Sequence, residues 1–135
     1  MSKWRLCISI VAGAVIFVTT TAALAADDLV IFNRTAIQAV QESANIRVFA
    51  KLDNLAAALI EGGNFNRIRK IEKSARFIQS SVDIDLLWVM KNNEDIPNPP
   101  GILVSTDNYY LLELNLDQAL ELMAKGAFLS KLDVL

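Results

Sequence analysis

The chain has 135 residues, 53% of them hydrophobic, with 13 basic and 15 acidic side chains and a formal net charge of −2. It contains no histidine and a single cysteine. The commonest general base, the commonest metal ligand and any disulfide within one chain are therefore absent, and the slightly acidic balance gives no global attraction to nucleic acid or anionic lipid.

The first 26 residues read as a targeting segment. Lys3 and Arg5 precede an apolar run from Leu6 to Val18, and Ala23-Leu24-Ala25 has the small-x-small form of a signal-peptidase site. A spanning helix needs roughly 20 apolar residues, so the run is short for one. The expectation is a signal peptide over residues 1–26. An uncleaved N-terminal anchor is the alternative, because residues 6–26 carry no charge. In both cases the cations before the run and Asp27-Asp28 after it place the remainder outside the cytoplasm, as a periplasmic, secreted or inner-membrane-anchored domain. Without Lys3 and Arg5, 11 basic residues remain against 15 acidic ones, a net charge of −4. The one cysteine, Cys7, lies near the start of the run, so residues 27–135 hold no cysteine and no disulfide.

Leu29 to Phe32 is a short continuous apolar run, readable as a helical turn or a strand. From Thr35 to Glu61, the residues Ile37, Val40, Ala44, Val48, Leu52, Leu55 and Leu59 recur every three or four positions, which predicts one face of a long helix. Thr35 with Gln38 has the form of a capping box. Gly62-Gly63-Asn64 breaks the pattern, with glycine suited to a left-handed helix end and Asn64 to the next N-cap. Ile68, Ile71, Ala75, Ile78, Val82, Leu86 and Val89 then predict a second long helix over residues 65–92. The two helices are expected to fold back as an antiparallel hairpin.

Pro97, Pro99 and Pro100 make residues 94–101 a stiff connector. Residues 102–114 read either as a small β-hairpin around Thr106-Asp107-Asn108 or as helix. A shorter C-terminal helix is expected from Leu116 to Lys125, with Asn115 as its cap and Gly126 at its end. The fold expected from these elements is mainly α: a single helical domain over residues 27–135, with two long helices in a hairpin and a shorter third.

The chemistry-bearing residues are sparse. Met90 and Met123 have no histidine partner for haem and read as core. Asp83 and Asp85 would point about 160° apart on a helix, and Glu94-Asp95 lacks the ligand spacing of a calcium loop. No phosphate loop or nucleophile elbow is present. No catalytic residue, cofactor or metal is therefore expected.

The second predicted helix is more informative. Phe77, Ile84 and Trp88 project opposite its main apolar stripe, Lys70 and Lys73 continue that side toward the N-terminus, and Arg69 and Arg76 flank it. These seven residues form the candidate partner-binding face. Cations in the first turns of a helix oppose its dipole, an effect that Glu72 would offset through Arg69 and Arg76. The first-turn N–H groups beside them could also hold an anion.

The function these observations predict is binding to another protein, or to another copy of the chain, as an envelope adaptor, inhibitor or immunity-type protein. No nucleic acid is expected as a partner, and a membrane only if the first segment stays attached. Alternatives are a membrane-anchored extracytoplasmic sensor or assembly subunit, and a carrier of an apolar ligand.

Overall fold

The computed structural model describes residues 27–134, so the expected signal peptide or anchor over 1–26 lies outside the described residues. Strand β1 (Asp27–Asn33) leads through a 3-10 turn into helix α1 (Ile37–Ser43). Strands β2 (Ile46–Leu52) and β3 (Leu55–Glu61) follow, then helix α2 (Phe65–Ile71) and strand β4 (Arg76–Gln79). The second half comprises β5 (Leu87–Lys91), β6 (Ile102–Ser105), β7 (Tyr109–Glu113), helix α3 (Leu116–Ala124), β8 (Leu129–Ser130) and β9 (Asp133–Val134). All pairings are antiparallel, in one sheet ordered β4-β1-β3-β2-β9 and another ordered β6-β7-β5-β8.

The expected hairpin of two long helices is not formed, and the chain is neither a helical bundle nor mainly α. Each long helical reading dissolves into strand, turn and a helix of seven residues. In the first, Leu52 pairs with Leu55 across a two-residue hairpin turn, so the three-residue step between them is the turn itself. The four-residue steps from Val48 to Leu52 and from Leu55 to Leu59 are each two strand periods. Ala50 and Ala57, which the helical spacing leaves out, are buried on the same side as Val48, Leu52 and Leu59. Thr35 is not the cap either: Asn33 Oδ1 accepts from the Thr35 N–H at 3.0 Å, and α1 starts after Ala36 without a side-chain cap.

The layers follow from strand alternation. Leu29 and Ile31 of β1, Val48 and Leu52 of β2 and Leu59 of β3 meet Leu87, Val104 and Leu111 of the second sheet. The alternate residues Val30, Phe32, Ala56, Ala58 and Ile60 face outward, under Val40 and Ala44 at α1 and Ile68 of α2. The outer side of the second sheet, with Met90 and Leu112, is covered by Ala119 and Leu122 of α3. The molecule is thus a four-layer sandwich: two helices, five strands, four strands, one helix. Strand β3 is buried on both sides from Ala56 to Ile60, as a central covered strand requires.

Local signals hold in the C-terminal third. Residues 102–113 form the hairpin rather than a helix, with Val104 opposite Leu111 and Ser105 opposite Tyr110. Asn115 caps α3 in a reciprocal capping box with Gln118. Gly126 ends the helix at φ +97°, where its N–H donates to Met123 and that of Ala127 to Leu122. The proline connector closes on Gly101 at φ +70°, whose carbonyl accepts the Glu113 N–H at 2.8 Å. A Cβ on Gly101 would overlap the Glu113 carbonyl oxygen, so this position needs glycine for two separate reasons.

Candidate functional site

The basic stretch after Gly62-Gly63 sits at one edge of the first sheet. Gly63, at φ +88°, turns the chain out of strand β3 rather than out of a helix, and its N–H approaches Asp28 Oδ2 at 3.4 Å. Asn64 precedes α2 without a side-chain cap; its amide donates instead to the Glu61 carbonyl at 3.2 Å. Helix α2 is pinned by fully buried Ile68, which leaves Arg67, Arg69 and Lys70 exposed around it. Lys70 lies about 200° from Ile68 around the helix and so points straight outward.

The shortness of α2 reverses the electrostatics expected of it. Arg69 and Lys70 occupy its last turn, where the helix dipole favours cations; at seven residues, about two turns, α2 is too short for its first turn to act as an anion site. Arg67 Nη1 donates to the Ser43 carbonyl at 3.3 Å, filling an open acceptor at the end of α1. Glu72 does not pair with Arg69 or Arg76; its Oε1 accepts from the Ser74 N–H at 3.2 Å and the Ser74 hydroxyl at 2.9 Å, closing the turn into β4. Among the described residues the only ion pairs are Arg47 with Asp27 and Lys125 with Glu121. Arg69, Lys70, Lys73 and Arg76 therefore have no carboxylate partner there.

Strand β4 is an edge strand with only β1 beside it. Val30 is the partner of Phe77 and faces the helices, so Phe77 turns the same way. It meets Phe65 of α2 edge-on, with ring centroids 5.8 Å apart at 67°. This contact leaves Phe77 46% exposed, and Ile71 at the end of α2 is 40% exposed. Arg69, Lys70 and Lys73 thus gather with the uncovered Ile71 and Phe77 along one helix–strand edge, while Arg76, opposite Ile31, points to the other side of β4.

The remaining two candidates lie elsewhere. Trp88 belongs to β5, on the outer side of the second sheet, where it packs against the Met90, Leu112 and Leu122 cluster. Lys131 Nζ covers its ring at 4.3 Å from the centroid. The same ammonium donates to the carbonyls of Ile84 (3.3 Å) and Asp85 (3.0 Å), and burial draws its pKa below the usual lysine value against the pull of Asp85 and Asp83. Ile84 lies in a 3-10 turn between the sheets. The continuous face from Lys70 down to Trp88 does not exist, because it relied on one helix running through Ser80-Ser81, where the chain in fact turns at φ +56°.

Three features escaped the sequence reading. A shallow hollow of about 550 Å³ beside α1 is lined by Arg34, Thr35, Gln38, Gln41, Phe49 and Lys51, with no acid among them. Asp53, at φ +56° in the β2–β3 turn, accepts from the Asn108 N–H and from its side-chain amide, both at 2.9 Å, and latches one sheet to the other. The Asn108 amide, helped by the Thr106 hydroxyl and the Asn108 N–H, holds the Asp53 carboxyl below its ordinary pKa. Third, α3 exposes an apolar stripe: Leu116 is 67%, Leu120 52% and Met123 40% exposed, with Phe128 beyond the helix at 80%. Spacing could have found it, since Leu116, Leu120 and Met123 share one side of the helix.

Cations concentrate in the first half of the fold. Residues 27–79, which hold α1, α2 and four strands of the first sheet, carry eight cations and six acids; residues 80–132, which hold the second sheet and α3, carry three cations and eight acids. The α3 side is acidic, and most of the cations lie on the α1–α2 side. The fold and site define a small four-layer α/β/β/α sandwich with a cationic, partly apolar edge at one outer layer. Comparison with known protein families, with curated proteins and with solved structures finds no match to the chain.

Proposed function

We propose that the protein is an exported, non-catalytic binding protein that takes an acidic protein surface on its α2–β4 edge. The observation that carries this reading is the grouping of Arg69, Lys70 and Lys73 with Ile71 and Phe77, uncovered and, for the cations, without a carboxylate partner among the described residues. A half-exposed aromatic held by a second ring, with charges at its rim, is the composition of a protein-binding patch. Edge strand β4 adds free backbone donors and acceptors beside it.

The non-catalytic part is supported by the lack of histidine and of any cysteine after Cys7. Among the described residues no three His, Cys, Asp or Glu side chains converge to hold a metal ion. Export is supported by the cation–apolar–alanine order of residues 3–26.

Site-specific photo-crosslinking in the producing cell tests the reading. A probe at Lys73 or Phe77 is expected to capture a protein that a probe at Asn98, on the proline connector, does not. The double variant Arg69→Glu with Lys70→Glu should abolish that capture. Equal capture from both positions, or capture untouched by the double variant, refutes the site.

A further inference from the structure

We infer that the acidic surface which fits the α2–β4 edge is the α3 layer of a second copy, so that the protein associates head to tail through its two outer layers. The inference rests on the proposed role of that edge and names its partner. Helix α3 has a wider apolar side than its sheet covers. Ala119 and Leu122 are buried, whereas Leu116, Leu120 and Met123 lie about 100° further round the helix and stay uncovered. They leave on the order of 300 Å² of apolar surface uncovered, with Phe128 also exposed beyond the helix, within the range in which the largest patch of a monomer is often functional.

Charge chooses the occupant. Asp117 and Glu121 point away from the sheet, beside Leu120, and Glu121 alone is partly offset by Lys125 at 3.8 Å. Two α3 layers face to face would bring acid onto acid. The α2 side of the same molecule offers the complement, with Lys70 pointing outward, Arg69 and Lys73 near it, and Ile71 and Phe77 as apolar counterparts. The two layers are the opposite outer faces of one sandwich, so the contact is heterologous and repeats from copy to copy instead of closing as a twofold dimer. A standard interface buries about 800 Å² per partner, more than the stripe alone supplies, so the association is weak and salt-sensitive, with dissociation constants of roughly micromolar order or above.

Sedimentation of the protein, purified as the cell delivers it, provides the test. At low ionic strength the average mass should rise with concentration and return to the monomer in about 1 M salt. Arg69→Glu with Lys70→Glu breaks one face and Leu120→Glu the other; each variant alone should associate at least tenfold more weakly while keeping the native circular dichroism. Mixed in equal amounts they should form 1:1 dimers and nothing larger, because each still carries one intact face. A wild-type protein that stays monomeric at several hundred micromolar overturns the inference. So does continued association of the Arg69/Lys70 variant, which would mean an α3–α3 contact. If the wild type is monomeric yet the crosslinks from Lys73 still depend on Arg69 and Lys70, this inference fails and the binding edge stands. If both are lost, both fail.

Discussion

Replacing Gly101 by alanine should be the most damaging single-methyl change in the molecule. Two costs add at this position. At φ +70° an L-residue carries a left-handed penalty of roughly 1–2 kcal/mol. The new Cβ would also overlap the Glu113 carbonyl oxygen and stand only 3.1 Å from its carbon and 3.3 Å from its nitrogen. All three are backbone atoms of β7, so no side chain can swing aside; the connector must back away. That movement strains the 2.8 Å bond from the Glu113 N–H to the Gly101 carbonyl, worth about 1 kcal/mol, and draws on the packing of neighbouring β6, where Val104 is buried. The left-handed penalty and the strained bond come to about 2–3 kcal/mol, and the overlap with fixed backbone adds roughly 1–3 kcal/mol more, a large part of the roughly 5–15 kcal/mol by which such domains are folded.

Gly63 and Gly126 supply the internal control. Their φ values are +88° and +97°, but a Cβ at either would meet nothing within 4 Å. Gly63→Ala and Gly126→Ala should thus cost only the conformational part, about 1–2 kcal/mol. Urea unfolding followed by tryptophan fluorescence measures all three against the wild type. A Gly101→Ala cost within about 0.5 kcal/mol of the Gly126→Ala cost would refute the steric reasoning, since such a gap is the size of ordinary surface scatter.

Other outcomes follow from the layers and the latch. Ala57→Leu and Ala58→Leu should each destabilise by about 1–3 kcal/mol, because one faces the second sheet and the other the helices; if thermal melting finds either neutral, β3 is not covered on both sides. Asp53→Asn should narrow the stability gap to wild type as pH falls. The folded-state pKa of Asp53 lies below the ordinary carboxyl value, so its contribution is present above that value and is lost as the carboxyl protonates at lower pH. Urea midpoints at neutral pH and at about pH 2.5 check this, and a constant gap would contradict it. Lys131→Ala should increase acrylamide quenching of Trp88, the one tryptophan among residues 27–134, and cost about 0.5–1 kcal/mol through the lost ring contact.

What the sequence disclosed depended on whether a signal was local. Asn115, Gly126 and the three prolines each fix their own few residues, and the structure has α3, its end and the connector in the corresponding places. The long helices were misread because four residues are both one helical turn and two strand periods. Only the residues in between distinguish the two. Ala50 and Ala57 are small and helix-favouring, so they did not read as buried strand positions. Asp53-Asn54 between two apolar runs was the overlooked hairpin signal. The candidate face shared the error: Arg69, Lys70, Lys73 and Phe77 remain together because they are near in sequence. Ile84 and Trp88 separate because their link to the others was helical projection alone.

The pairing of β9 with β2 bears on the order in which the molecule assembles. Strands β2 and β3 meet across two residues, whereas Val48 must wait for Val134 and Phe49 for Asp133, more than eighty positions away. By the logarithmic growth of loop entropy, that closure costs roughly 3 kcal/mol more than the hairpin. Two residues of ladder return little against it, so β9 docks after the rest of its sheet and is the first strand to leave. The free edge of β2 is then bared at little packing cost, since Val134 is itself 79% exposed. The least secure seam of the fold is a place where another strand could enter without unfolding anything else.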